Sequence, residues 1–206
     1  MPIDVLPRLE TSSLVLRPFT PRDARKVFEL SQEDGMKKWV PSQVYGDEAH
    51  AASVLAFLAA RYRPDIELKT SPYVLGIKLK TTGELVGHVG LSPLHGEVEI
   101  GFAVEQSQQR KGIATEAVHA LCEWAAVKSP KTRILGITAR ENGVSQRVLV
   151  RAGFQHQAET EMLFQGLEQP VLVFAYSSQR HADEGKSSSW RLGRASLESL
   201  HEGSMV

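Results

Sequence analysis

The chain of 206 residues and 22.7 kDa suits one domain of ordinary size with a short appendage. Hydrophobic residues make up 42% and charged residues 23%, close to globular averages, which excludes wholesale disorder. The 24 Lys and Arg residues balance 24 Asp and Glu, so the overall basic excess of a nucleic-acid or anionic-membrane binder is missing. The single Cys122 excludes an internal disulfide framework and a Cys-based zinc site. The N-terminal residues are mixed and carry acids, with no apolar core before a cleavage site, and no run approaches the ~20 apolar residues of a bilayer span. The expectation is a soluble cytoplasmic protein with no membrane or nucleic-acid partner.

In chain order, residues 14–16 read as a short strand. Thr20, Pro21 and Asp23 then open a helix that runs to about Ser31: a hydroxyl cap, Pro at the first position, an acid in the first turn. A loop follows through Trp39, Pro41 and Tyr45, whose aromatics are either packing groups or a substrate wall. Val54, Phe57 and Leu58 share helical spacing within residues 47–61. The period then changes to two. Residues 73–80 and 84–91 form a hairpin about Thr82-Gly83, and residues 93–96 turn the chain into a third strand, 97–104. Residues 112–128 form an amphipathic helix with Ile113, Ala117, Leu121 and Trp124 on one face. A strand at 133–139, a short helix at 144–151 stopped by Gly153, and strands at 154–164 and 170–176 close the order β-α-α-β-β-β-α-β-α-β-β, an α+β domain. Residues 1–176 form the domain; residues 177–206 are a Ser-rich tail in which Trp190, Leu197 and Leu200 share a helical face at most. Gly185-Lys186-Ser187 lacks the earlier glycine and the preceding strand of a phosphate loop.

The informative segment joins the strand 97–104 to the helix after it. Gln109-Arg110-Lys111-Gly112-Ile113-Ala114 stands where the helix begins, and the first turn of a helix offers unpaired N–H groups and partial positive charge. Gly112 and the small Ala114 let anionic oxygens approach those donors, and Arg110 and Lys111 add charge, so the segment suits a phosphate or pyrophosphate. Glu97 and Glu99 lie two apart on a strand and share a face; if it lines a cleft, both are placed for proton transfer. Read singly, Glu97 is a solvated residue near a turn, His88 either reaches the cleft or is a buried hydrogen-bonded histidine, His119 is a solvated residue and Cys122 a core residue. No His pair has metal-ligand spacing, so no metal is expected.

The spacing Gln109-x-x-Gly112-x-Ala114, after a strand carrying Glu99-Ile100-Gly101-Phe102, resembles the GNAT N-acetyltransferase superfamily. Asn142, Ser145 and the Arg151-Ala152-Gly153-Phe154 ending resemble a second segment of that family, and residues 9–19 with Asp23 look like the opening of its RimJ/RimL branch. The resemblance covers about residues 8–176 and implies a mixed, mostly antiparallel sheet flanked by helices. That sheet is splayed between the two strands around a coenzyme A site. It implies acetyl-CoA as donor and direct acetyl transfer to a primary amine, either a protein N-terminal α-amine or a small-molecule amine. It implies a bulge around residues 101–104, where backbone of Phe102, Ala103 and Val104 pairs with the pantetheine arm and one N–H binds the thioester oxygen. Backbone of Gln109, Arg110, Lys111, Gly112, Ile113, Ala114 and Thr115 would hold the pyrophosphate, and the Asn142 side chain would meet the pantetheine. Glu99 would orient the water that takes the amine proton, and Ser145 or a water would protonate the leaving thiolate. A monomer or homodimer fits the family.

Two positions depart from the pattern. Arg110 stands where most of the branch carries Gly, and the expectation is an ordinary φ with the side chain aimed at phosphate. Leu149 stands where many members place a Tyr general acid. The contrasting function is a CoA-binding sensor or interaction module with little or no turnover. A dinucleotide-binding fold is excluded because no Gly-x-Gly-x-x-Gly follows a first strand.

Overall fold

The computed structural model describes residues 8–130 and 132–176, so the tail at 177–206 lies outside the described residues. The strands are β1 (Leu9–Glu10), β2 (Leu14–Arg17), β3 (Tyr73–Leu79), β4 (Leu85–Leu94), β5 (Glu97–Val104), β6 (Ile134–Ala139), β7 (Phe154–Phe164) and β8 (Leu167–Tyr176). The helices are α1 (Ala24–Ser31), α2 (Asp34–Trp39), α3 (Glu48–Ala59), α4 (Ile113–Lys128) and α5 (Gly143–Arg151). All eight strands join one open sheet in the order β1-β2-β3-β4-β5-β6-β8-β7. Every neighbouring pair is antiparallel except β5 and β6. This is the mixed, helix-flanked sheet the sequence implies, with β1 and α2 added to the expected order. α2 occupies part of the segment read as a loop.

Hairpin chemistry sets the register. His95 and Gly96 both have positive φ, 46° and 78°, as do Gln165 and Gly166 at 53° and 82°, the signature of two-residue turns whose twist matches the flanking strands. The turn after β4 is therefore shorter than expected, and Pro93 lies inside the strand. Its missing N–H costs nothing there, because β3 ends opposite Leu91 and no strand waits beyond it.

Cross-strand partners share a face, so the register sorts the side chains of the central strands. Tyr73, Leu91 and Ile100 stand on the face covered by α4, where the Tyr73 and Trp124 rings stack at 4.6 Å. Leu121 and Cys122 are fully buried in that layer, as expected for a core cysteine. Gly136 on β6 lies beneath α5; a Cβ there would stand 2.8 Å from the Leu149 side chain. The opposite face carries Gly76, His88, Gly90, Ser92, Glu97, Glu99, Gly101 and Ala103. α1 packs over one end of it, held by a corner in which Arg17 donates two hydrogen bonds to Asp23, at 2.7 and 2.8 Å. Asp23 also accepts from the Thr20 N–H at 2.7 Å, which fixes where the strand β2 ends and the α1 region begins. Desolvation raises the Asp23 pKa, and the bonds from Arg17 and Thr20 outweigh it, leaving the group below its usual value.

Candidate functional site

β5 and β6 pair only at Val98–Ile134 and Glu99–Leu135. Beyond that point β5 stays on β4 and β6 turns to β8, so the sheet splits. The expected splay is present; the expected bulge is absent, because β5 keeps unbroken register with β4 from Glu97 to Val104. Opposite partners pulling two parallel strands apart open the gap without an inserted residue.

Two hydrogen bonds fix which peptide groups face the split. The Glu105 N–H donates to Val86 on β4 at 2.8 Å, and the Val98 N–H donates to the Arg133 carbonyl on the other side at 3.2 Å. Alternation with period two then points the peptide groups of Ile100, Phe102 and Val104 at the split and those of Gly101 and Ala103 at β4. Ala103 therefore brings a methyl group to the opposite face and no free backbone to the split, contrary to its expected pairing role. The Val104 carbonyl accepts from Gln109 Nε2 at 3.0 Å. Phe102 is left with both its N–H and its C=O on the open edge, while its side chain packs against the core.

The split leads to the start of α4. Gly112 caps that helix with φ 83° and offers no side-chain acceptor. The first bond into the helix is Glu116 N–H to Gly112 O at 3.0 Å. Residues 109 and 110 form a turn, and among the described residues the N–H groups of Gly112 to Thr115 donate no hydrogen bond to the protein. Arg110 has φ 62°, so the expectation of an ordinary φ is overturned. The chain must turn through the left-handed region twice, at 110 and 112, to aim those N–H groups outward, and an L-residue there bears roughly 1 kcal/mol of strain. The Lys111 ammonium folds back onto Gln108 Oε1 at 2.8 Å, and the Ile113 side chain is buried. Glu116, one turn on, is held by Ser12 Oγ, Ser13 N–H and Ser13 Oγ, at 3.0, 2.9 and 2.7 Å. Desolvation opposes its ionisation, yet the Thr11 hydroxyl together with the Ser13 and Ser12 groups brings its pKa to about 2. Its carboxylate is turned to the β1–β2 turn, away from competition for the free N–H groups.

Asn142 caps α5: its Oδ1 accepts from the Ser145 N–H at 3.1 Å, and the residue is 9% exposed. One end of the amide is thus committed to the helix and the other is left to donate. Leu149 is buried in the core, where a shorter, apolar side chain fits over Gly136.

On the sheet face away from α4, Glu99 accepts no hydrogen bond among the described residues. Burial pushes its pKa up to about 7. Glu97 is tied elsewhere: it accepts from the Arg133 N–H at 3.3 Å and lies 4.0 Å from both the Arg133 guanidinium and the Lys69 ammonium. That departs from a solvated residue and removes it from a relay. His88 departs too. It opens into a cleft with Val27, Leu30, Met36, Tyr45 and Ala103, and no hydrogen bond to it is formed among the described residues. Burial lowers its pKa to about 4, so the ring is neutral at pH 7. Tyr45 is a wall of this cleft, whereas Trp39 lies outside it and packs beside the Lys38 ammonium. Single-sequence reading missed Val27, Leu30 and Met36, which carry no mark beyond helical spacing. His119 is exposed and its Nδ1 lies 3.4 Å from the Ala152 carbonyl. Among the described residues no helix is long and apolar enough to cross a membrane.

Comparison with known proteins agrees with this geometry. Residues 13–155 match the acetyltransferase (GNAT) domain family. An uncharacterized N-acetyltransferase of Bacillus subtilis, YoaA, is 27% identical over 156 residues, covering 74% of this chain and 85% of that protein. A GNAT-family acetyltransferase from Bacillus anthracis has the same fold with TM-score 0.68, 19% identity, and coverage of 82% of this chain and 97% of its own. RimL, a ribosomal L7/L12 α-N-protein acetyltransferase in complex with coenzyme A, superposes with TM-score 0.69 at 15% identity, over 82% of this chain and 97% of its own. With a family match over well beyond half of its length, the chain belongs to the GNAT family of N-acetyltransferases.

Proposed function

We propose that the protein transfers an acetyl group from acetyl-CoA directly to a primary amine, with the donor lying in the β5–β6 split. The observation that carries this reading is the continuity of two donor arrays: the open Phe102 edge and the unpaired N–H groups of Gly112 to Thr115. A pantetheine arm matches the first as an added strand, and a pyrophosphate matches the second. Helix starts α3 and α5 have their own acceptors in Asp47 and Asn142, whereas the start of α4 has none and follows directly from the open β5 edge. The coenzyme A complex of RimL, a protein of the same fold, supports the same donor.

In this assignment the Phe102 N–H binds the thioester oxygen, where charge develops as the amine adds. The Asn142 amide donates toward the pantetheine. The new C–N bond forms as the C–S bond breaks. Glu99 takes the amine proton through a water, and the thiolate takes a proton from a water, directly or relayed through the Ser145 hydroxyl. A base near pH 7 matches an α-amine of pKa about 7.7–8.0 better than a lysine at about 10.4. Supplying the neutral amine at pH 7 costs about 1.2 kcal/mol in the first case and about 4.6 in the second. The expected acceptor is therefore a peptide or small-molecule α-amine, or another amine of low pKa. Calorimetry with CoA, followed by thiol release from acetyl-CoA across a panel of amines, tests the reading. CoA binding with amine-dependent release supports it; CoA binding with no release for any amine favours the sensor alternative.

A further inference from the structure

Among the described residues, three buried side-chain atoms have no hydrogen-bond partner: the Tyr73 and Thr138 hydroxyls and Arg133 Nη2. Buried polar groups are almost always bonded, so each such atom asks what it is kept for. Tyr73 is stacked against Trp124 beneath α4, and Arg133 lies at the closed foot of the β5–β6 pair beside Glu97. Thr138, on β6, stands on the bank of the open split.

Register fixes its level. β5 and β6 pair Val98 with Ile134 and Glu99 with Leu135, so counting on along both parallel strands sets Phe102 level with Thr138 on the opposite bank. Both side chains lie on the α4 and α5 side of the sheet. Phe102 packs with the core there, and Thr138 is two residues from Gly136, where a Cβ would stand 2.8 Å from Leu149. The chain reverses through residues 140–142, so α5 runs back over β6. One turn of α5 back from Leu149, about 6 Å, reaches Ser145; two residues of β6 on from Gly136, about 6.6 Å, reach Thr138. Ser145 therefore stands above Thr138 as Leu149 stands above Gly136, and Asn142 caps the same turn of α5.

Leu149 is apolar and sealed in the core, so it gives the split no donor. Thr138 has one to give. The residue is 4% exposed, and its hydroxyl is neither bonded to the protein nor open to water. A dry, unbonded hydroxyl is unfavourable, and a valine of the same shape would avoid that cost. With the thioester oxygen on the Phe102 N–H, the sulfur lies one bond from the carbonyl carbon, in the gap at the level of Thr138. Negative charge gathers on that sulfur as it leaves, and a donor held ready in a dry site stabilises it with little reorganisation.

We propose that Thr138 is a catalytic residue whose hydroxyl donates a hydrogen bond to the coenzyme A sulfur and stabilises it as the C–S bond breaks. The amine nitrogen forms the C–N bond and the C–S electron pair passes to sulfur. The proton that neutralises the thiolate comes from water, and the Thr138 proton stays on its own oxygen. The proposal rests on the acetyltransferase reading above, because it needs coenzyme A in the split.

Three variants test it. Thr138→Val keeps the shape and removes the donor. On the best amine of the panel it should lower kcat about tenfold or more, with the calorimetric Kd for CoA within about threefold of wild type. It should unfold at or above the wild-type midpoint, since the lost hydroxyl has no partner in the fold. Thr138→Ser keeps the donor and should hold kcat within about threefold of wild type. Thr138→Cys reads position without turnover. Treated with CoA and diamide, it should form a mixed disulfide with CoA: each thiol gives up a proton, the S–S bond forms, and diamide takes both protons and two electrons. Mass spectrometry should find one CoA per chain, formed about tenfold or more faster than the adduct of cysteamine at equal concentration, because binding holds the two sulfurs together. The wild type, whose Cys122 is fully buried, should form none. A full-rate Thr138→Val enzyme, a lowered unfolding midpoint for it, or no preferential CoA adduct on Thr138→Cys, with CoA binding and wild-type turnover intact, overturns the proposal and leaves acetyl transfer standing. Absence of CoA binding or of turnover in the wild type overturns both.

Discussion

The starts of α4 and α5 lie on either side of the same split and are built in opposite ways. At α5 the protein supplies its own acceptor: Asn142 Oδ1 takes the Ser145 N–H, and the helix start is closed. At α4 the corresponding place holds Gly112, which has no side chain, and the chain spends two left-handed residues, Arg110 and Gly112, to turn the N–H groups outward. A closed start stabilises the native chain in all conditions. An open one gives up that stabilisation until an anion arrives. The contrast is between a helix end closed by the chain's own side chain and one left open.

If that separation is right, chemistry, binding and stability fail independently on substitution. The largest effect is expected on the floor between the two helix starts. Glu99→Gln should lower kcat by about ten- to a thousandfold, roughly 1.4–4 kcal/mol, while CoA affinity stays nearly unchanged. In the wild type, kcat/KM should rise with pH through about 7, as Glu99 loses its proton, and keep rising until the acceptor amine is itself neutral. A full-rate Glu99→Gln enzyme with an unshifted profile, measured on the best acceptor, removes Glu99 from the reaction.

The same residue carries a stability signature with a definite sign. Its folded pKa of about 7 lies above the ordinary 4.5, so the native state prefers the protonated form. Wild-type stability is therefore lost as pH rises from 4.5 to 7. Glu99→Gln lacks that loss and should be more stable by roughly 1–3 kcal/mol at pH 8, with the gap closing below pH 4.5. Denaturant titrations at pH 4.5 and 8 check it; a gap that does not depend on pH contradicts the raised pKa.

At the open helix start, Gly112→Asp should weaken CoA binding at least tenfold, about 1.4 kcal/mol or more. The new carboxylate would cap α4 itself and occupy the place of the diphosphate. At the closed start, Asn142→Ala should cost about 1 kcal/mol of stability through loss of the cap and change CoA affinity less than Gly112→Asp does. Calorimetry and thermal unfolding on both variants decide the comparison, and equal losses of affinity would erase it.

The smallest effect concerns Arg110. Arg110→Gly should relieve its positive φ and stabilise the protein by up to about 1 kcal/mol. It should also flatten the salt dependence of the acetyl-CoA KM, because an exposed charge near a phosphate is screened by salt. An unchanged salt dependence would leave Arg110 as a turn residue only.

Much of this was legible from single residues and short spacings. Period two marked β3 to β5, Gly83 and Gly96 marked the turns, and Gln109-x-x-Gly112-x-Ala114 marked the loop at the start of α4. These signals are local: each depends on residues within one element and its neighbours, whose backbone geometry is settled by sterics and hydrogen bonding over a few positions. The tertiary structure decided what depends on distant partners. Which β5 peptide groups are free follows from pairing with β4 on one side and from β6 leaving for β8 on the other. The positive φ of Arg110 follows from the need to turn a strand end into the start of a helix docked on the sheet. Glu97 is diverted by Lys69 and Arg133, and His88 is left unpartnered because α1 and the Tyr45 loop close over it at a distance. The cleft beside His88 draws residues from 19 to 105, and no sequence window holds them together, because only folding brings a half-buried helix face and two strands into one wall.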